Sequence, residues 1–349
     1  MSEQWDGSAD GWTGGLAEAV GPDVVEDGAE ARARRPLHAP IGRVAGRSSM
    51  VPSGLVVGRD PIAPAEDDGW EPAARRQSAA APPATWREHW AGHDQLLHLA
   101  GTSEHAAIYF DRSMDWSARR WLLPYVSDVW QYAKQTYGDH FGPDPLIYSI
   151  FHEGRYPGGH PASHFDPTHD HRNVTDCGPG PWRVADDDHF ELVVHEIAHV
   201  VEGANNGADG SPAFPIWGDS KWAEFFIYDL NVALGRHRRA AYLRRHFVGD
   251  DDFPRPGTRW FRDWFHPLWT NGGDGPQVMV RFFRLLAEHY PRGADNRYVR
   301  DMNWGEYIHF TSGATKGDLT ELARRAFGWR SSWTGELEQA QNQFPAITY

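Results

Sequence analysis

The chain has one cysteine, Cys177, among its 349 residues, which excludes an intramolecular disulfide. That scarcity leaves the redox compartment open, since many exported proteins use none. Basic residues are also short: 34 Lys and Arg stand against 48 Asp and Glu, a net charge of −14. This balance argues against a nucleic-acid partner, whose phosphates call for a basic face. No run approaches the roughly 18 apolar residues that a membrane span needs. The opening residues MSEQWDGSAD carry acids where a signal peptide has a basic start and an apolar stretch. No export signal is readable there, and the chain as written reads as cytoplasmic. The sequon Asn173-Val174-Thr175 matters only on a glycosylating route.

Phe and Tyr are absent from residues 1–84, which are crowded with Ala, Gly, Pro and alternating charges. Stretches such as GPDVVEDGAEARARRP hold no helical or strand period, so burial cannot offset the entropy of ordering them. Residues 1–84 are expected to be a disordered tail, with a pro-segment or targeting tail as the functional alternative. Aromatic density jumps at Trp86, and residues 85–349 are expected to form the folded domain. It divides into a strand-and-helix half, 85–203, and a helical half, 204–349.

Within that domain EHAAIYFD (Glu104 to Asp111) and PLIYSIF (Pro145 to Phe151) read as strands. Between them, Trp121, Leu122, Tyr125, Val129, Trp130 and Ala133 make an amphipathic helical stripe over Trp116 to Tyr137. A Gly/His/Pro-rich stretch to about Arg183 reads as a long loop. Asp187 and Asp188 offer N-caps for a helix that Gly203 can end. Further helices are expected over Lys221 to Leu234, Gln277 to Tyr290, Trp304 to Thr311 and Asp318 to Phe327. The fold class is therefore α+β.

The chemistry concentrates in HEIAH, residues His195 to His199. Positions four apart share one helix face, so His195 and His199 can direct their imidazoles to one metal ion. Glu196 lies about 100° around the helix, in reach of a water on that ion. Zinc lowers the pKa of such a water toward about 7, and a carboxylate can take its proton as a carbonyl is attacked. Zinc is thus the expected cofactor, His195 and His199 two ligands and Glu196 the base. Downstream, Glu224 is the carboxylate inside an apolar helical stretch beside Trp222, Phe225 and Phe226, where an unpaired charge is costly. It is expected as the third ligand, with a salt bridge to a buried Arg or Lys as the alternative. Asp209, in NNGADGSP, is a second candidate ligand that also reads as a turn residue.

An HExxH helix followed by a helix bearing a ligand Glu resembles the gluzincin metallopeptidases. The wide gap is nearest to the basic secretory protein and enhancin-type branches. The resemblance covers about Asp187 to Asp229. It implies a gluzincin-like fold, with His195, His199 and Glu224 as ligands and Glu196 as base, and it is compatible with secretion. Where thermolysin-like enzymes place an Asp four residues after the ligand Glu, this chain has Tyr228, with Asp229 next to it. The metzincin pattern fails, because Glu202 and Asn205 stand where Gly and His belong.

The stretch FHEGRYPGGHPASHFDPTHDHRN holds His152, His160, His164, His169 and His171 with Asp166 and Asp170. Its spacings fit no fixed zinc pattern, and it is expected to line the cleft, with His169 or His171 touching substrate. An oxyanion donor is expected from Tyr307 or His309, with Tyr228 as a third candidate. The tryptophans of WFRDWFHPLWT could offer a stacking surface. The expected function is zinc-dependent hydrolysis of an amide bond in a peptide or glycopeptide. The alternatives are a non-catalytic scaffold that binds glycan or protein, and a zinc hydrolase of a non-peptide bond.

Overall fold

The computed structural model describes residues 81–349, apart from 89, 91, 92 and 272–274. The expected tail falls outside the described residues up to 80. Residues 83 and 84 already belong to the fold: the Pro83 carbonyl accepts from the Tyr109 hydroxyl at 2.8 Å, and the Ala84 carbonyl from Leu99 N at 3.0 Å.

The α+β expectation holds. Six strands form one sheet: β1 (Thr85–Arg87), β2 (Leu96–Thr102), β3 (Ala106–Phe110), β4 (Ile147–Phe151), β5 (Gly158–Ala162) and β6 (Asn173–Gly178). Their spatial order is β1-β2-β3-β4-β6-β5. β3, β4 and β6 run parallel, and β1, β2 and β5 pair antiparallel with their neighbours. A parallel pair needs a crossover. Between β3 and β4 that crossover is α1 (Arg119–Tyr137), which buries Leu122, Val126, Val129, Trp130 and Ala133.

Every residue of β3, β4 and β6 is buried, because both faces of the sheet are covered. Ile108, Phe110, Ile147, Phe151 and Cys177 join the core shared with the helices. Tyr109, Tyr148, Ile150 and Val174 point the other way, into a smaller cluster closed by Trp86, Trp90 and Leu97. Asn173 is among the buried residues and donates from Nδ2 to the Phe141 carbonyl at 2.6 Å, so the sequon is not displayed.

The stretch expected as one long loop contains β5 and β6. GGHPA has almost no strand propensity and is ordered as an edge by its pairing with β6. Metal-helix candidate α2 (Asp187–Ala204) packs against both strands. Its N-cap is Asp186, whose side chain accepts from His189 N, one residue earlier than expected.

The second half is helical, as expected: α3 (Phe214–Trp217), α4 (Lys221–Ala233), α5 (His237–His246), a π-helical turn over Phe261–Phe265 that leads into α6 (His266–Asn271), α7 (Gln277–His289), α8 (Trp304–Thr315), α9 (Thr320–Phe327) and α10 (Ser331–Gln343). Its core is aromatic. Trp260 and Trp264 of WFRDWFHPLWT are buried there, and Trp269 is partly buried and donates to Asp229 at 2.8 Å, so the expected stacking surface does not form. Among the described residues no helix is long and apolar enough to cross a membrane.

Candidate metal centre

The HEIAH residues lie in the middle of α2, whose Phe190, Val193, Val194, Ile197, Val200 and Val201 face the core. That packing fixes the rotation of the helix and turns His195 and His199 together. Their Nε2 atoms stand 3.2 Å apart. The third donor that meets them is Asp219, in the turn between α3 and α4. Its Oδ2 is 3.6 Å from His195 Nε2 and its Oδ1 3.5 Å from His199 Nε2. Gly218 makes this turn possible, with φ +58° at the end of α3, a conformation that side chains disfavour.

These separations match a metal-ligand set. Ligands about 2.0–2.1 Å from a tetrahedral zinc lie roughly 3.3–3.4 Å from one another. Two imidazole nitrogens and a carboxylate oxygen also suit zinc chemically. Beneath the set, Glu202 Oε2 lies 3.2 Å from His199 Nδ1, so a carboxylate can hold that ring with Nε2 directed at the ion. His199 and Glu202 are buried, whereas Asp219 is half exposed and His195 partly so. The site is therefore closed on the helix side and open toward solvent. Burial works against charge on Asp219, but the hydrogen bonds from His195 and His199 hold it well below the usual carboxylate range.

Glu196 is buried beside this opening, only 3% exposed. Burial lifts its carboxyl to about 7, against the pull of His195 and His199. It lies against β5: a Cβ built on Gly159 would sit 2.3 Å from its carboxyl carbon. Gly159 is thus required for the close approach of strand and carboxylate. Burial pushes the Cys177 thiol well up, so the lone cysteine beneath is a small core residue.

Glu224, the expected third ligand, is not brought to the histidines. It lies on α4, where burial lifts it to about 8, Lys221 draws it down and Asp251 adds to the rise. The correction has a simple origin. Glu224 stands out as a carboxylate in apolar sequence, whereas Asp219 sits in GDS and passes for a turn residue. The signal that could have found it is its position just ahead of the helix that packs on α2. Asp209 is also elsewhere, paired with Arg297 Nε at 2.8 Å. Asp229 accepts from Trp269 Nε1 at 2.8 Å and from the Tyr132 hydroxyl, and Glu202 takes the orienting place.

The expected oxyanion donors are engaged in the core. The Tyr307 oxygen accepts from Trp217 Nε1 at 2.9 Å and Trp264 Nε1 at 2.7 Å, and it is 1% exposed. His309 is held by the Tyr349 hydroxyl at 3.1 Å and the Phe344 carbonyl at 3.2 Å. Tyr228 packs on Phe261, His266 and Trp269. The reason is that α8 is buried on nearly every side, so both its donors face protein.

Of the histidine-rich stretch, β5 reaches α2, while His169 pairs with Asp166 at 2.8 Å and packs at a tilt on Trp90, and His171 meets the His164 carbonyl at 3.2 Å. His152 is buried in a separate cluster with Glu88, His93 and Asp176. No protein-family model and no curated protein matches this chain, so the reading of its chemistry rests on the site itself.

Proposed function

We propose that this chain is a zinc-dependent hydrolase of amide bonds, with His195, His199 and Asp219 as ligands and Glu196 as general base. One observation carries the reading: three donors meet at 3.2–3.6 Å with an open side, and a buried carboxylate from the same helix stands beside them. Three protein ligands and an open fourth position are what a catalytic zinc needs, as opposed to a structural one. Zinc, when bound, supplies a Lewis acid and an acidified water. Glu196 would serve as the general base that accepts a proton from the attacking water and as the acid that returns it to the leaving amine. Glu202 orients His199, and Gly159 leaves Glu196 the room to stand where it does.

A peptide substrate is supported by β5. It is the last strand of the sheet, packs against α2 and abuts Glu196, so an extended chain could add to its outer edge through main-chain hydrogen bonds. The HExxH helix keeps the gluzincin-like resemblance for the motif, but an Asp as third ligand departs from it. The retained Glu196 speaks against a non-catalytic scaffold, since a pure binder has no need of that base. The test is a peptide-library digest by zinc-loaded protein, with and without chelator. Chelator-sensitive cleavage supports the proposal. An inert protein with zinc bound at His195 and His199 would leave it a binding scaffold.

A further inference from the structure

A second gathering of donors lies apart from the HEIAH centre. Glu88 follows β1, His93 precedes β2, His152 follows β4 and Asp176 stands on β6. All four are buried, at 4%, 7%, 0% and 1% exposure, and one ligand atom from each lies within 4.8 Å of the others. His152 Nε2 is 2.7 Å from Glu88 Oε1 and 3.2 Å from Asp176 Oδ2, and His93 Nδ1 is 3.1 Å from the same Asp176 oxygen.

Two further observations point to an ion. The far nitrogen of His152, Nδ1, meets Asp111 Oδ2 at 2.8 Å, and Asp111 is itself held by Ser113 N and Oγ. With Nδ1–H donated to a carboxylate, the lone pair of Nε2 is aimed into the cluster, the arrangement that metal-bound histidines use. Glu88 is anchored through Oε2, which accepts from Gln95 N at 3.1 Å. Its Oε1 points inward and faces His152 Nε2 at 2.7 Å. One Nε2–H could serve only one of the two oxygens it faces, whereas a cation takes donors from both.

We propose that Glu88, His93, His152 and Asp176 form a second zinc site, structural in kind. Two imidazoles and two carboxylates would supply four protein ligands and leave no open position, as a structural rather than a catalytic zinc requires. Calcium, which prefers oxygen donors throughout, fits less well. The ion would tie Glu88 and His93, which stand beside the buried Trp86 and Trp90, to His152 after β4 and to Asp176 of β6. This site is independent of the hydrolase reading.

The test uses the full chain, stripped by chelator, desalted and titrated with zinc alone, with bound zinc counted by mass spectrometry and the thermal midpoint followed. Wild type should bind two zinc ions per chain. The His195→Ala/His199→Ala variant should keep one, and zinc should still raise its melting temperature. Adding Glu88→Gln and His93→Ala should abolish that last ion and the thermal response. A His195→Ala/His199→Ala variant that binds no zinc and melts alike with and without it would overturn the proposal, even if the four-residue variant fails to fold. So would zinc retained by the four-residue variant. Wild type holding one ion that survives loss of His195 and His199 would instead defeat the hydrolase reading and leave this site standing.

Discussion

Replacing Asp219 and replacing Glu224 should have opposite consequences for zinc at the HEIAH helix. Asp219 supplies the donor that closes the set, 3.5 and 3.6 Å from the two imidazole nitrogens. A partner that only orients a ligand is worth about 10–100-fold in metal affinity, so loss of a ligand should cost at least about 100-fold, or ~2.7 kcal/mol. Asp219 is half exposed and supports no core packing, so Asp219→Ala should leave the fold intact. Glu224 does not belong to the donor group of His195, His199 and Asp219, so Glu224→Gln should leave zinc affinity unchanged. Competition against a chromophoric chelator, on a His93→Ala/Glu88→Gln background that isolates this site, reads both. Full affinity in Asp219→Ala with loss in Glu224→Gln would refute the reasoning and restore Glu224 as ligand.

Gly159→Ala should lower turnover by about 100-fold while zinc content and melting temperature hold, because its Cβ would displace the Glu196 carboxyl by more than the site tolerates; unaltered peptide cleavage would show that Glu196 has room to move. Tyr307→Phe should leave zinc bound but cost roughly 2–6 kcal/mol in denaturant unfolding, since two buried Trp N–H groups lose their acceptor; a stability within error of wild type would contradict this. Burial raises the Glu306 carboxyl, but the hydrogen bonds from Arg300 outweigh it and hold it below its ordinary value. Its contribution is therefore complete above the ordinary carboxylate range and lost as pH falls through the folded value. Thermal melts from pH 6 to pH 3 should fall more steeply for wild type than for Glu306→Gln, and parallel profiles would refute that.

Elements whose burial follows a simple period were legible in the sequence. The stripe of α1 and the apolar face of α2 follow from spacing near three and four, and β3 and β4 from short apolar runs. β5 was not legible, because Gly, His and Pro carry little strand preference and its order comes from pairing with β6, and β6 is a short run inside the same polar stretch that pairs with β4. The pairing of His195 and His199 was readable because both lie on one helix, four residues apart. Asp219 and Glu202 were harder for different reasons. Asp219 arrives through a turn whose path depends on Gly218, and Glu202 matters only through its spacing of three from His199. The Glu88, His93, His152 and Asp176 cluster draws on four separate segments, so no local spacing could have announced it.

The most direct test of the central claim compares wild type with Glu196→Gln, both zinc-loaded, in cleavage of a peptide recovered from the library digest. The substitution removes a base and no ligand, so zinc content should be equal while turnover falls by roughly 10²–10⁴-fold. Equal turnover in the two proteins, or no chelator-sensitive cleavage by wild type with zinc in place, would contradict it.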